Sequence, residues 1–241
     1  MMQGPDEGLF LPWHPGQRVL FVVAHPDDLA IPAGAMVAAM TRGGILVQGL
    51  FVTSGQAGIP GVDPDEAKRI REREERHAAE ILGHDPLFLG FMDGRVSAQD
   101  SALEDALRAA VARLRPDFVF THRPDLHNDH VSVWRVMEKI AFDAMQSRER
   151  SAFRMFLLPQ FYDPISWRDG ALFIAVDATT LAIKRRALAC YPSQLAINDF
   201  IPVELSRMIV HGYLAGTTHA EALLPWRPRY PLRPRPQSGS E

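Results

Sequence analysis

Two short clusters of metal-competent side chains stand out in the 241-residue chain: His25-Pro26-Asp27-Asp28 and, far downstream, His127-Asn128-Asp129-His130. Imidazole and carboxylate together suit zinc (Zn2+), and Fe2+ or Co2+ can share such a site. A catalytic zinc typically keeps three protein ligands and one position for water, and His25, Asp28 and His130 could fill those three places. A carboxylate adjacent in sequence to a ligand can point past the metal toward the water, so Asp27 is the candidate general base. The ion lowers the pKa of its water from about 15.7 to roughly 7, which makes attack on an amide carbonyl feasible at neutral pH. His127, if protonated, could stabilise the developing oxyanion, and Asp129 could hold one of the histidines in its tautomer. Which histidine Asp129 holds is open at this stage.

Each cluster has a plainer explanation when taken alone. HPDD can be a turn with a helix cap, because Asp at a helix N-terminus bonds free amides and meets the helix dipole. HNDH can be a polar loop with one cap. Their positions change the balance, since both follow strands that the sequence predicts for one sheet.

The first of these strands is Arg18–Ala24, RVLFVVA, a run that reads as buried on both faces. Pro26 stops it, and helix is expected from Gly34 to Met40. Further strands are predicted at 45–52, 87–90 and 117–122, with helices at 65–82, 101–114 and about 130–145 between and after them. This alternation predicts a doubly wound, mostly parallel α/β sheet of Rossmann-like type, in which ligands bind beyond the carboxyl ends of the strands. HPDD and HNDH both fall there. The Gly- and Pro-rich loop after Thr53 is long enough to cover a site. In the second half, strands are expected at 153–158 and 172–176 and helices at 179–189 and 203–214. The expected organisation is a single domain over residues 1–224, followed by a Pro/Arg-rich extended tail at 225–241.

Composition narrows the function. The formal net charge is -3, 46% of residues are apolar and 23% are charged, which gives no field favouring nucleic acid or an anionic membrane. The first residues lack a basic segment followed by an apolar one, and no apolar run approaches about 20 residues. A cytoplasmic protein acting on a small molecule is expected, without nucleic acid or membrane as partner; a homo-oligomer is left open. The single Cys190 excludes an internal disulfide and reads as a small buried thiol. His14, His77, His84, His122, His211 and His219 have no metal-like context, although His122 ends the fourth strand and could border the pocket. No G-x-G-x-x-G, G-x-x-x-x-G-K-[ST] or G-x-S-x-G motif is present, which weakens nucleotide binding and serine-triad hydrolysis.

On these residues the sequence resembles the LmbE or PIG-L family of zinc-dependent N-acetylglucosaminyl deacetylases, which includes enzymes of mycothiol, bacillithiol and glycopeptide-antibiotic biosynthesis. The resemblance also covers Thr53-Ser54-Gly55 with Gly58, Arg73-Glu74, Ala78-Ala79, Leu82-Gly83, Asp93-Gly94, Lys184 and Ser193-Gln194. It implies that His25, Asp28 and His130 bind zinc and that Asp27 acts as base. His127 would assist the oxyanion or leaving group with support from Asp129, and Arg73 and Asp93 would contact substrate. One departure is Leu29, where the family often has Glu; it bears on the shape and polarity of the pocket floor. The implied function is removal of an acetyl group from an N-acetylated small molecule, an N-acetylglucosamine-type conjugate. The alternatives are metal-dependent hydrolysis of another amide, ester or phosphoester, and a non-catalytic sugar- or nucleotide-binding module.

Overall fold

Arg18–Val23 forms strand β1, and its side chains divide by parity: Val19, Phe21 and Val23 enter one apolar cluster, Leu20 and Val22 the other. Alternation of this kind requires cover on both faces. Helices α1 (Ala30–Arg42) and α2 (Pro64–Leu82) cover the first face with Met36, Val37, Ala78 and Leu82, while α3 (Ser101–Leu114) and α4 (Asn128–Gln146) cover the second with Leu103, Leu107, Val133 and Met137. Each of these side chains larger than alanine contributes about 1.5–3 kcal/mol when fully buried. The computed structural model describes residues 13–147, 153–160, 162–163 and 169–226.

The remaining strands are β2 (Leu46–Thr53), β3 (Asp85–Phe91), β4 (Phe118–His122), β5 (Arg154–Leu158), β6 (Leu172–Ala175) and β7 (Ala220–Pro225), and they form one sheet in the order β3-β2-β1-β4-β5-β7-β6. The first five run parallel, as the sequence predicts, and β7 and β6 complete the edge antiparallel. From β1 the chain winds outward through β2 and β3, then crosses back to place β4 on the other side of β1. That reversal opens a crevice beyond the carboxyl ends of β1 and β4. Val22 pairs with Thr121, so the segments beginning at His25 and Arg123 leave the sheet side by side.

Three elements differ from expectation. Helix α1 begins at Ala30 rather than Gly34, because Pro32 lies in the first turn, where its missing N–H is no loss. A short helix, α6 (Pro192–Leu195), precedes α7 (Ile201–Ala215). Strand β7 was not expected, since Ala-Glu-Ala-Leu-Leu carries helix-forming residues; tertiary pairing overrides them. Pro225, placed at the start of the tail, closes β7, and Trp226 donates its amide hydrogen to Met155 O at 3.0 Å. The tail beyond, residues 227–241, lies outside the described residues, as do residues 1–12. No helix among the described residues is long and apolar enough to cross a membrane.

A buried charge cluster ties α5 (Ala178–Leu188), α7 and β7 to α1. Lys184 Nζ donates to Glu204 Oε1 at 2.5 Å and to Glu221 Oε1 at 2.7 Å, and Glu221 accepts the amide hydrogens of Ala35 and Met36. Gly34 makes room for it, since a Cβ there would stand 3.1 Å from Lys184 Cγ.

Beside this cluster His211 is 2% exposed, and burial, followed by the charges of Arg207 and Lys184, pushes its pKa down to about 4. The folded chain keeps it neutral, whereas the unfolded chain protonates it near 6.5. Its contribution to stability is therefore complete above pH 6.5 and lost as pH falls toward 4, by about 3 kcal/mol in total. Urea unfolding of the wild type and His211→Phe across this range checks it: the variant is expected to lose less stability on acidification, and parallel curves would exclude the effect.

Candidate metal centre and active site

Beyond β1 the chain turns sharply through HPDD, with Asp28 N–H bonded to His25 O at 3.3 Å, before α1 begins. Beyond β4, Arg123 to His127 lead into α4, which His127 caps by accepting the Asp129 amide hydrogen on Nδ1. The two turns bring three donor atoms together. His25 Nδ1 lies 3.1 Å from Asp28 Oδ2, His130 Nε2 lies 3.3 Å from the same oxygen, and the two nitrogens are 3.3 Å apart. Four ligands held tetrahedrally at about 2.0–2.1 Å are separated by about 3.3–3.4 Å. This donor set therefore fits a small divalent cation, and His25, Asp28 and His130 are all buried.

The outer nitrogen of each imidazole meets a carboxylate, which leaves the inner one free to present its lone pair. For His25 the partners are Asp93 Oδ1 at 3.0 Å and Asp129 Oδ2 at 3.3 Å, so the histidine that Asp129 holds is His25. For His130 the partner is Asp125 Oδ2 at 2.7 Å. Asp129 also accepts the amide hydrogens of Gly94 and Val96. Burial works against charge on Asp129, but the His25 and backbone bonds outweigh it and hold its pKa below the usual range. Burial likewise opposes charge on Asp28, and the charge of His130 with hydrogen bonds from His130 and His25 brings it well down. The second oxygen of Asp28 accepts from Gln160 Nε2 at 3.2 Å, and Arg207 Nη1 donates to the Gln160 carbonyl at 3.0 Å.

His122 stands against the donors but is engaged elsewhere. Its ring stacks on His130 at 3.9 Å, and its Nε2 accepts the Ala24 amide hydrogen at 2.8 Å. A neutral imidazole has one acceptor nitrogen, so the lone pair nearest Asp28 is already used. Burial and the His130 charge keep His122 well below its ordinary pKa. It braces the centre from within the sheet and is not among the residues lining the cavity above it.

A cavity of about 260 Å³ opens over this centre, lined among others by Asp27, Arg71, Asp93, His127, Gln160 and Tyr162. A larger one, about 450 Å³, lies at the opposite end of β1 and β2 and contains none of these residues. Asp27 Oδ2 pairs with Arg71 Nη1 at 3.2 Å; burial raises the Asp27 pKa to about 7, against the lowering charge of Arg71. Burial, then the charges of His25 and His130, lower the pKa of His127. With Nδ1 accepting from Asp129, the neutral ring carries its proton on Nε2.

Two sequence expectations shift. Arg73 is exposed, whereas Arg71, two residues earlier, is 3% exposed and lines the cavity. Two residues turn a helix by about 200°, so Arg73 lies on the far side of α2. Leu29 is buried in the apolar cluster beneath α1 and is not among the residues lining the cavity. Asp125, Gln160 and Tyr162 were not singled out from sequence. Asp125 sits in the same RPDLHND segment as the second cluster, and Gln160 follows β5 onto the same rim.

The PIG-L family model, described as GlcNAc-PI de-N-acetylase, matches residues 20–141, a span that contains both turns. The chain belongs to the PIG-L family. Hydrolytic N-deacetylation is the chemistry that the family's description names, and the chain is an enzyme of that kind. Among its relatives is an uncharacterized deacetylase, YaiS, of Escherichia coli (strain K12), 31% identical over 54% of this chain and 71% of the relative. A probable N-acetyl-alpha-D-glucosaminyl L-malate deacetylase 2 of Bacillus cereus is 29% identical over 56% of this chain and 64% of the relative. In three dimensions this PIG-L chain resembles the conserved protein TT1542 of Thermus thermophilus, with a TM-score of 0.73, 25% identity, and coverage of 92% of this chain and 99% of that one.

Proposed function

We propose that this chain removes the acetyl group from a small N-acetylated sugar conjugate, using a divalent metal, zinc foremost, held by His25, Asp28 and His130. The observation that carries this reading is the triangle of donor atoms 3.1–3.3 Å apart with Asp27 beside it in one cavity. When bound, such an ion supplies Lewis acidity, polarising the acetamide carbonyl and acidifying water. Asp27, with a pKa near 7, is suited to take a proton from water and return it to the leaving amine. Arg71 fixes the Asp27 carboxylate so that this transfer starts from one geometry. His127 donates its Nε2 hydrogen toward the carbonyl oxygen, where negative charge develops. The amide C–N bond breaks, and acetate and the free amine leave.

The Bacillus cereus relative supports a sugar substrate by its name. The cavity has room for one sugar-sized group, with Asp93, Gln194 and Asn198 to bond hydroxyls and Ile197 and Phe200 to pack against a ring face. Two-metal phosphoester chemistry fits less well. Among the described residues, every donor group that could hold an ion shares a residue with the His25–Asp28–His130 centre, so a second ion would have to take ligands from the first. A single domain carrying this site remains the proposed organisation.

Acetate release tests the proposal. Chelator-stripped protein is expected to be inactive on N-acetylglucosamine conjugates and to regain activity with one equivalent of zinc. Zinc-loaded protein that releases no acetate from a broad panel of N-acyl sugars would refute it.

A further inference from the structure

Asp27 has φ of 96°, in the left-handed region that residues other than glycine rarely adopt, and such strain persists only where the surroundings enforce it. Helix α2 supplies that enforcement with two residues one turn apart on the same face. Arg71 takes the Asp27 carboxylate, and Glu75 Oε2 accepts the Asp27 amide hydrogen at 3.1 Å. Glu75 is completely buried. A buried carboxylate is costly to desolvate, and this one is held by two hydrogen bonds to Oε2, from Asp27 and Tyr191, while its Oε1 accepts none. Tyr191, itself buried at the head of α6, donates its hydroxyl to Oε2 at 2.8 Å, and His84 Nε2 faces Oε1 at 3.3 Å.

We infer that Glu75 is a positioning residue: held by Tyr191, it pins the amide of Asp27 in its strained conformation and so aims the Asp27 carboxylate into the cavity. A relaxed, negative φ at Asp27 would turn its amide hydrogen away from Glu75 and its side chain away from Arg71. The inference rests on the reading of Asp27 as the general base, and the test separates the two.

The test measures kcat, KM, bound zinc and melting temperature for Glu75→Ala, Glu75→Gln and Tyr191→Phe, with Glu75→Ala also made in an Asp27→Asn background. Misplacing a reacting group by about 1 Å can cost roughly 100-fold. Glu75→Ala is therefore expected to lower kcat by about 10- to 100-fold, with KM and zinc content nearly unchanged. Glu75→Gln, whose amide oxygen can still accept from Asp27, should recover most of the loss. In the Asp27→Asn background Glu75→Ala should have no further effect, because the group it positions is gone. An equal loss in both backgrounds, or a folded Glu75→Ala protein with wild-type kcat, overturns the inference. Should Glu75→Ala not fold, Tyr191→Phe decides: a several-fold fall in kcat at constant KM is expected, and an unchanged kcat refutes the positioning role. If Asp27→Asn alone keeps wild-type kcat, the base assignment is what fails. The crystal structure of a Glu75 variant then still judges the positioning claim, which requires φ of residue 27 to become negative and falls if it stays near 96°.

Discussion

Replacing Asp27 by Asn is expected to lower kcat for acetate release by about 100- to 10,000-fold, the range for losing a general acid–base group. Asn is the informative choice. It keeps the shape and hydrogen-bonding reach of Asp, and with Asp it tolerates a positive φ better than other side chains, which matters at φ 96°. It removes the proton-accepting charge. Asp27 contributes no atom to the donor triangle, so zinc content should stay at one ion per chain. The buried Arg71 loses its ionic partner in this variant but keeps its bond to Pro26 O, so a modest fall in melting temperature is also expected. Wild-type kcat in a folded, zinc-loaded Asp27→Asn protein would remove the residue from the mechanism.

The largest effect on stability is expected from Lys184→Met. Lys184 and Glu204 are completely buried and Glu221 nearly so, with one ammonium set between two carboxylates. Removing one member of a buried ion pair costs about 3–5 kcal/mol, because the partner's charge stays behind without compensation. Here Glu221 is left without a cation, while Glu204 keeps Arg207. Glu221 holds the amides of Ala35 and Met36 in α1, and Glu204 also binds Arg207, which donates to the carbonyls of Pro159 and Gln160. The loss should therefore reach Asp28 through the Gln160 amide. Denaturant titration is expected to show a large fall in unfolding free energy or a chain that does not fold at 37 °C. A change below about 1 kcal/mol would mean that the cluster is not charged as drawn.

The parts of this protein that could be read from sequence are those governed by short-range periodicity. RVLFVV announces a doubly covered strand, Pro26 ends it, and the rule that parallel sheets bind ligands at their carboxyl edge brings HPDD and HNDH together. Parts set by tertiary contacts were hidden. Strand β7 contains Glu221 among helix formers, and Lys184 with the amides of Ala35 and Met36, all distant in sequence, makes that glutamate acceptable inside the fold. Arg71 and Arg73 are alike by composition; the phase of α2 against the HPDD turn decides which reaches the cavity. Asp125 was in view as part of RPDLHND, yet its bond to His130 depends on how the loop folds back over the first turn of α4. Gln160 carries no motif, but its place just beyond a strand parallel to β4 could have marked it.

Crystals grown with zinc and measured at the zinc absorption edge test the central claim most directly. One strong anomalous peak is expected about 2.0–2.2 Å from His25 Nδ1, an Asp28 carboxylate oxygen and His130 Nε2. A peak held by Asp93 and Asp129 without His130, or no peak between the two turns, would contradict it.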